Sequence, residues 1–203
     1  MTTMTIAPAT LADRIAPRTW ATNIALITGG VVLVALLARV EVPMWPVPIS
    51  GQTLGVMLVG ATLGSWRGAT AMTSYMLLGL AGAPVFAGGG GGPASFLSPS
   101  FGFILGFIPA AAFIGWLSER NWDRRPALAA LAFLGASIIP FLIGIPYLGM
   151  IFGAMGLPND PASLWAVGVA PFIVGGIVKW AIAAMLLPVA WRVVRTADNR
   201  TKR

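Results

Sequence analysis

From Ala166 to Ala190 the chain is apolar over the thickness of a bilayer, interrupted by one cation, Lys179. A transmembrane helix needs about 20 such residues. Backbone in hydrocarbon must satisfy its own hydrogen bonds, which restricts a spanning segment to a helix or a closed barrel, and the length of this run selects the helix. The charge adds a second condition. An ammonium at that depth costs about 2.5–3.5 kcal/mol even on lenient insertion scales. The acids Asp13, Glu41, Glu119, Asp123, Asp160 and Asp198 lie in loops or at the edges of apolar stretches. None offers itself as a built-in partner, so the residue type points to an anion that arrives from outside.

Other runs of the same kind fill the chain. It is 57% hydrophobic and 9% charged, against roughly 25% charged residues in a soluble domain. Its 203 residues have room for about six spans of ~20 residues. The expected fold is all-α: an integral membrane protein forming one transmembrane domain over 1–203, a six-transmembrane-helix bundle. Spans are expected at about 22–40, 49–64, 69–87, 101–118, 127–155 and 165–191. The second is short, Gly64–Gly68 is read as the turn into the third, and Pro140 and Pro146 predict a kinked or interrupted fifth. No internal repeat is evident, which weighs against inverted-repeat carriers. Met1–Ala21 is polar and carries Arg14 and Arg18, and the apolar run after it is too long for a signal h-region, so the first span is read as retained.

Basic residues set the orientation. With both termini cytoplasmic and 1–20 and 192–203 as tails, the inner side holds Arg14, Arg18, Arg67, Arg120, Arg124, Arg125, Arg192, Arg195, Arg200, Lys202 and Arg203. Only Arg39 falls near the outer face, and Lys179 completes the 13 Lys and Arg. The net charge of +7 is thus a topology signal that can touch anionic lipid, and no nucleic-acid partner is expected. Trp20, Trp66, Trp116, Trp122, Trp165 and Trp191 fall at expected span ends, where an amphipathic ring is stable.

Histidine and cysteine are absent, which removes imidazole catalysis, thiol chemistry and most metal sites. Three segments could still carry chemistry. Pro43–Pro48, a stiff loop, precedes Ser50, Gln52 and Thr53; these polar groups either satisfy backbone at a span boundary or lie under a lid over a pocket. The glycine run from Gly88 to Gly92 ends in Pro93 with no nearby lysine, which excludes a nucleotide-binding loop. It leaves a mobile loop or close backbone approach to a ligand. Lys179 has Phe172, Gly175, Gly176, Ala183 and Leu186 at helical spacings. The glycines either let a helix pack closely or leave a hole for a ligand whose carboxylate meets the ammonium. Snorkelling serves lysines near helix ends, and Lys179 is far from both. Ala21, Ala25 and Gly29 form a small-residue stripe suited to close helix approach.

Together these residues resemble the BioY family, the biotin-binding membrane subunits (S components) of energy-coupling-factor (ECF) transporters. The resemblance rests on Val42–Leu54, Tyr75–Ala87, Ser98–Phe107, Pro146–Gly149 and Lys179, and runs from about Ala21 to Pro188. It implies a six-helix bundle binding biotin on the outer side of a bacterial cytoplasmic membrane, with outer loops covering the ligand. It carries the substrate-binding role to Ser50, Gln52, Ser100, Gly102, Tyr147 and Lys179, and docking on a transmembrane coupling subunit to Ala21 and Ala25. The family commonly has an Asp where this chain has Gly176 and a Tyr where it has Phe103.

The expected function is high-affinity capture of biotin for uptake, with no enzymatic activity and no cofactor. Because no nucleotide-binding signature is present, ATPase and coupling subunits would be separate chains. The alternative is a self-sufficient secondary carrier, as a single chain or an oligomer, for biotin or a related small carboxylate vitamin. Proton coupling usually needs an intramembrane carboxylate or histidine, which this chain lacks. A membrane enzyme finds no nucleophile–base or metal-ligand set, and a purely structural subunit leaves the cost of Lys179 unexplained.

Overall fold

A computed structural model describes the backbone of residues 10–201 and the side chains of residues 10–192. The expected tails at 1–20 and 192–203 fall partly outside these limits, including the side chains of Arg195, Arg200, Lys202 and Arg203. Among the described residues eight α-helices follow in order: α1 (Leu11–Ile15), α2 (Trp20–Ala38), α3 (Gln52–Leu63), α4 (Ser65–Leu80), α5 (Phe101–Glu119), α6 (Pro126–Ala154), α7 (Pro161–Gly168) and α8 (Phe172–Thr201). A short antiparallel pair, β1 (Glu41–Val42) and β2 (Ile49–Ser50), interrupts the all-helical pattern between α2 and α3.

Local sequence explains the helix starts. Thr10 and Thr19 cap α1 and α2 by accepting from the amides of Asp13 and Thr22, and Asp160 caps α7 by accepting from Ala162 and Ser163. Proline occupies the first turn of α6 and α7, where its missing N–H has no intrahelical partner to lose. The Asp160 carboxyl is held below the usual range by its bonds with the Ser163 hydroxyl and backbone.

Several boundaries differ from the sequence expectation, each for a local reason. Residues 41–50 form the strand pair and its connection, so α3 starts only at Gln52. The turn between α3 and α4 is Gly64 alone, at φ 91°, a backbone that favours glycine. Glu119 takes over the capping of α4 by accepting from the Ser65 amide at 2.7 Å. The fifth expected span is uninterrupted: α6 runs through Pro140 and Pro146 as one helix of 29 residues. In hydrocarbon, leaving the helix would strand many more backbone groups than the prolines do. The sixth is divided into α7 and α8 at residues 169–171, where Pro171 disfavours helix at the preceding residue. Lys179 therefore sits about two turns from the start of α8 and not, as expected, far from both helix ends.

Among the described residues four helices are long and apolar enough to cross a bilayer: α2, α5, α6 and α8. The helix α3, at 12 residues, is shorter than a simple crossing, and α4 has 16.

The bundle is built around α5, which packs on α3, α4 and α6 and is the most buried of the long helices. One apolar cluster joins α2, α3, α4 and α5 around Val34, Val59, Met72, Tyr75 and Phe107. A second joins α3, α5, α6 and α8 around Met57, Ile114, Phe133 and Leu187. Val32, Leu36, Leu131, Leu142, Val174 and Met185 instead point outward from α2, α6 and α8, as helices facing lipid do.

The end away from the strand pair is closed by charge. Arg67 of α4, 6% exposed, donates to Asp13 at 2.6 Å, and Arg18 donates to the other Asp13 oxygen at 2.9 Å. Burial pushes the Asp13 carboxyl up, but hydrogen bonds from Arg18, Arg67 and Thr10 outweigh it and hold the group well below the usual carboxylate range. Nearby, the indole N–H of Trp191 donates to Asp123, with the Arg124 guanidinium 4.2 Å from the Trp191 ring centroid. These contacts fasten the far end of α8 to the turn before α6.

Candidate functional site

At the strand-pair end, loops and helix termini enclose a cavity of about 280 Å³, near the small end of ligand pockets, which run roughly 300–1,000 Å³. Ser50, Gln52 and Thr53 form its polar side, and Ser95, Ser98 and Ser100 add hydroxyls from the segment before α5. Facing them are Phe86, Phe103, Phe107, Phe141 and Phe172. Phe103 stacks on Phe172 at 6.2 Å and meets Phe141 edge-on at 5.5 Å, so this wall is a packed aromatic surface.

Lys179 reaches the cavity from α8. Its Nζ donates to the backbone oxygen of Ser50 at 2.7 Å and to Thr53 Oγ1 at 3.1 Å. The amine therefore has protein partners, which sequence reading did not foresee. Both are neutral, so they orient the ammonium without cancelling its charge, and an ammonium has three donors, so one remains for a ligand. Gly175 and Gly176, one turn earlier, diverge: a methyl on Gly175 would touch Ile49 at 3.3 Å, whereas one on Gly176 would meet nothing within 4 Å. Trp180 turns away and donates to Ala130 of α6 at 2.7 Å, in keeping with a packing role.

A second chain of hydrogen bonds leads out of the cavity into the core. Ser50 Oγ donates to Gln52 Oε1 at 2.6 Å, Gln52 Nε2 donates to Tyr75 Oη at 2.7 Å, and Tyr75 donates to the Val85 oxygen at 2.7 Å. Ser50 and Gln52 are buried, and Tyr75 is completely so.

Two loops cover the cavity. In the connection between β1 and β2, Pro46, Val47 and Pro48 line it, and the Trp45–Pro46 bond is cis. Val47 is buried in a cluster with Phe103, Leu148 and Phe152, and Trp45 stacks on Phe152 at 5.4 Å. The glycine-rich passage contributes Ala87 and Gly90, and Arg39 donates to the Pro84 oxygen at its start.

Of the residues singled out from sequence, Ser50, Gln52, Ser100 and Lys179 meet at this cavity. Gly102 and Tyr147 pack against each other and are not among the residues that line it. A methyl on Gly102 would lie 2.3 Å from Tyr147 Cβ, so glycine is what lets α5 and α6 approach here. The Tyr147 hydroxyl donates to the Phe96 oxygen and its ring meets Phe96 and Phe101, tying down the segment that carries Ser98 and Ser100. Ala21 and Ala25 lie elsewhere, on the exposed face of α2, where a methyl on Gly29 would meet nothing within 4 Å. Sequence reading did not assign Tyr75 a role; with Thr73 and Ser74 beside it on α4, its hydroxyl does not stand out by residue type.

The sequence matches the BioY family over residues 5–196. It is 42% identical over 173 residues to the biotin transporter BioY of Rhodobacter capsulatus, covering 81% of this chain and 90% of that one. It is 37% identical over 169 residues to the biotin transporter BioY of Rhizobium etli, covering 80% and 87%. The fold is similar to a crystal structure of the S-component for biotin from an ECF-type ABC transporter. That match has a TM-score of 0.63 at 24% identity and covers 85% of this chain and 92% of that chain.

Proposed function

The chain belongs to the BioY family, and on that footing we propose that it captures biotin for uptake across the membrane, as a substrate-binding subunit and not an enzyme. One observation carries the assignment to this cavity. An intramembrane ammonium, held by two neutral oxygens, faces an aromatic wall across a vitamin-sized space. Biotin supplies the complement: an apolar bicycle for the phenylalanines, a ureido group for Ser50, Gln52 and Ser100, and a valerate carboxylate for Lys179. The ligand charge then offsets the cost of keeping an ammonium at this depth. Gly102 and Tyr147 serve by fixing the segment that carries Ser100.

On this reading the chain lies in the cytoplasmic membrane of a bacterium with both termini inside and six crossings, α3 and α4 acting as the short second and third. Its basic residues support this orientation. Single cysteines introduced into this cysteine-free chain test it directly: one at Trp45 should be labelled from outside and one at Arg120 from inside, and the reverse pattern would overturn it.

Transport is driven by separate ATPase and transmembrane coupling subunits. Supporting this, the Ala21 and Ala25 face of α2 is exposed and unobstructed, the form needed for close approach by a helix of another chain. The decisive test is equilibrium titration of the purified, reconstituted chain with biotin. Saturable binding at nanomolar to micromolar concentration is expected, and its absence would remove the assignment.

A further inference from the structure

Tyr75 has no exposed surface, yet its hydroxyl has two polar neighbours, the Val85 oxygen and Gln52 Nε2, each at 2.7 Å. A carbonyl only accepts. The Tyr75 proton is therefore committed to Val85, and the phenolic oxygen can serve Gln52 only as an acceptor. The Gln52 amide must turn its NH₂ to Tyr75 and its Oε1 the other way, where Ser50 Oγ lies at 2.6 Å. That oxygen again only accepts, so the Ser50 proton is committed as well. The Ser50 hydroxyl already accepts from the Gln52 backbone N–H at 3.4 Å, which leaves it one lone pair for a ligand, and what Gln52 Nε2 has left is its second N–H. Both residues line the cavity. An acceptor beside a donor complements an N–H beside a C=O, which is one edge of a cyclic urea.

We infer that Tyr75, which does not line the cavity, is a positioning residue that sets the hydrogen-bond polarity of the Ser50–Gln52 edge and so selects ligands presenting an N–H to Ser50. The inference rests on the biotin reading above. Without the phenolic oxygen, the Gln52 amide can turn over and donate to Ser50, and the freed hydroxyl proton can point into the cavity. The edge then no longer requires a donor from the ligand.

The test is equilibrium binding by the reconstituted full chain of biotin and of biotin methylated at one or the other ureido nitrogen. The wild type should prefer biotin over at least one methylated isomer. In Tyr75→Phe that preference should contract by about threefold to tenfold, the value of one hydrogen bond, because the steric demand of the methyl is common to both proteins. On a Ser50→Ala background, Tyr75→Phe should leave the preference unchanged. Gln52→Met, which retains the Tyr75–Val85 bond, should produce the same contraction and keeps the test available if Tyr75→Phe does not fold. An undiminished preference in both variants, even with lower affinity or stability, reduces Tyr75 to a packing residue and overturns the inference alone. A wild type that binds no biotin overturns the capture reading and the inference together.

Discussion

Lys179 Nζ and the backbone oxygen of Ser50 meet at 2.7 Å across 129 positions of sequence. The bond ties α8 to the strand that begins the cavity's polar side, and it does so with a neutral acceptor. Held in this way, the ammonium has a fixed direction and an uncancelled charge. A carboxylate in the cavity then gains a charge-assisted hydrogen bond without having to break an existing ion pair, as it would if an acid already held the lysine.

Replacement of Lys179 by methionine should therefore remove charge recognition while keeping most of the side-chain volume. A charge-assisted hydrogen bond contributes roughly 1.5–3 kcal/mol, so biotin should bind about 10-fold to 100-fold more weakly. Biotin carboxamide should bind wild type and Lys179→Met within about threefold of each other, since it brings no charge to lose. Calorimetric titration of both proteins with both ligands checks this. An equal loss for acid and amide would mean the lysine does not read the carboxylate.

Gly102 and Gly176 predict opposite outcomes for the same substitution. Gly102→Ala places a methyl 2.3 Å from Tyr147 Cβ and 3.1 Å from the Gly144 backbone, so α5 and α6 must separate. Overpacking of this kind costs about 1–3 kcal/mol, and the shift should also weaken biotin binding through the displaced Ser100. Gly176→Ala meets nothing within 4 Å and should be neutral or slightly stabilising. Thermal unfolding in detergent, with and without biotin, separates the two.

Leucine at Ala21 and Ala25 adds bulk to an exposed helix face and should leave biotin affinity of the isolated chain within about twofold of wild type. Uptake into vesicles containing coupling and ATPase subunits should fall by about tenfold or more, because close helix approach depends on small residues. Undiminished uptake would remove this face as the docking surface.

Asp13 predicts an acid-sensitive closure at the far end of the bundle. Its carboxyl titrates below its ordinary value when folded. The stabilisation is therefore fully present above the unfolded carboxylate pKa of about 3.9 and is lost as pH falls below it. At neutral pH, Asp13→Asn leaves the buried Arg67 charge without its anion and should cost about 3 kcal/mol. Thermal unfolding between pH 3 and pH 7 should show the wild-type advantage shrinking only at the acid end. An advantage that does not change with pH would assign the effect to packing.

Much of the membrane architecture was legible from apolar runs because a bilayer imposes a length on any helix that crosses it. The positions of α2, α5 and the body of α6 follow from that rule. The differences arise where local backbone chemistry competes with hydropathy. Ile49 and Ser50 are as acceptable in a span as in a strand, and only pairing with Glu41 and Val42 makes them β2. Residues 169–171 are Val-Ala-Pro, and hydropathy alone passes over the break between α7 and α8 that Pro171 makes by disfavouring helix at the residue before it.

At the site, residue type alone singled out Lys179, since a charge in hydrocarbon requires an explanation wherever it occurs. Polar type beside the proline-rich loop singled out Ser50 and Gln52 as well, and the likeness of ordered motifs gave them a binding role and added Ser100. Sequence by itself thus determined a helical membrane protein with one costly cation and a set of candidate polar partners. Only the tertiary structure decided which oxygens receive the Lys179 protons, that Gly102 packs on Tyr147, and that Gln52 hydrogen-bonds Tyr75. Hydrogen-bond direction depends on distances of about 3 Å between residues far apart in the chain, and those distances exist only once the helices have packed.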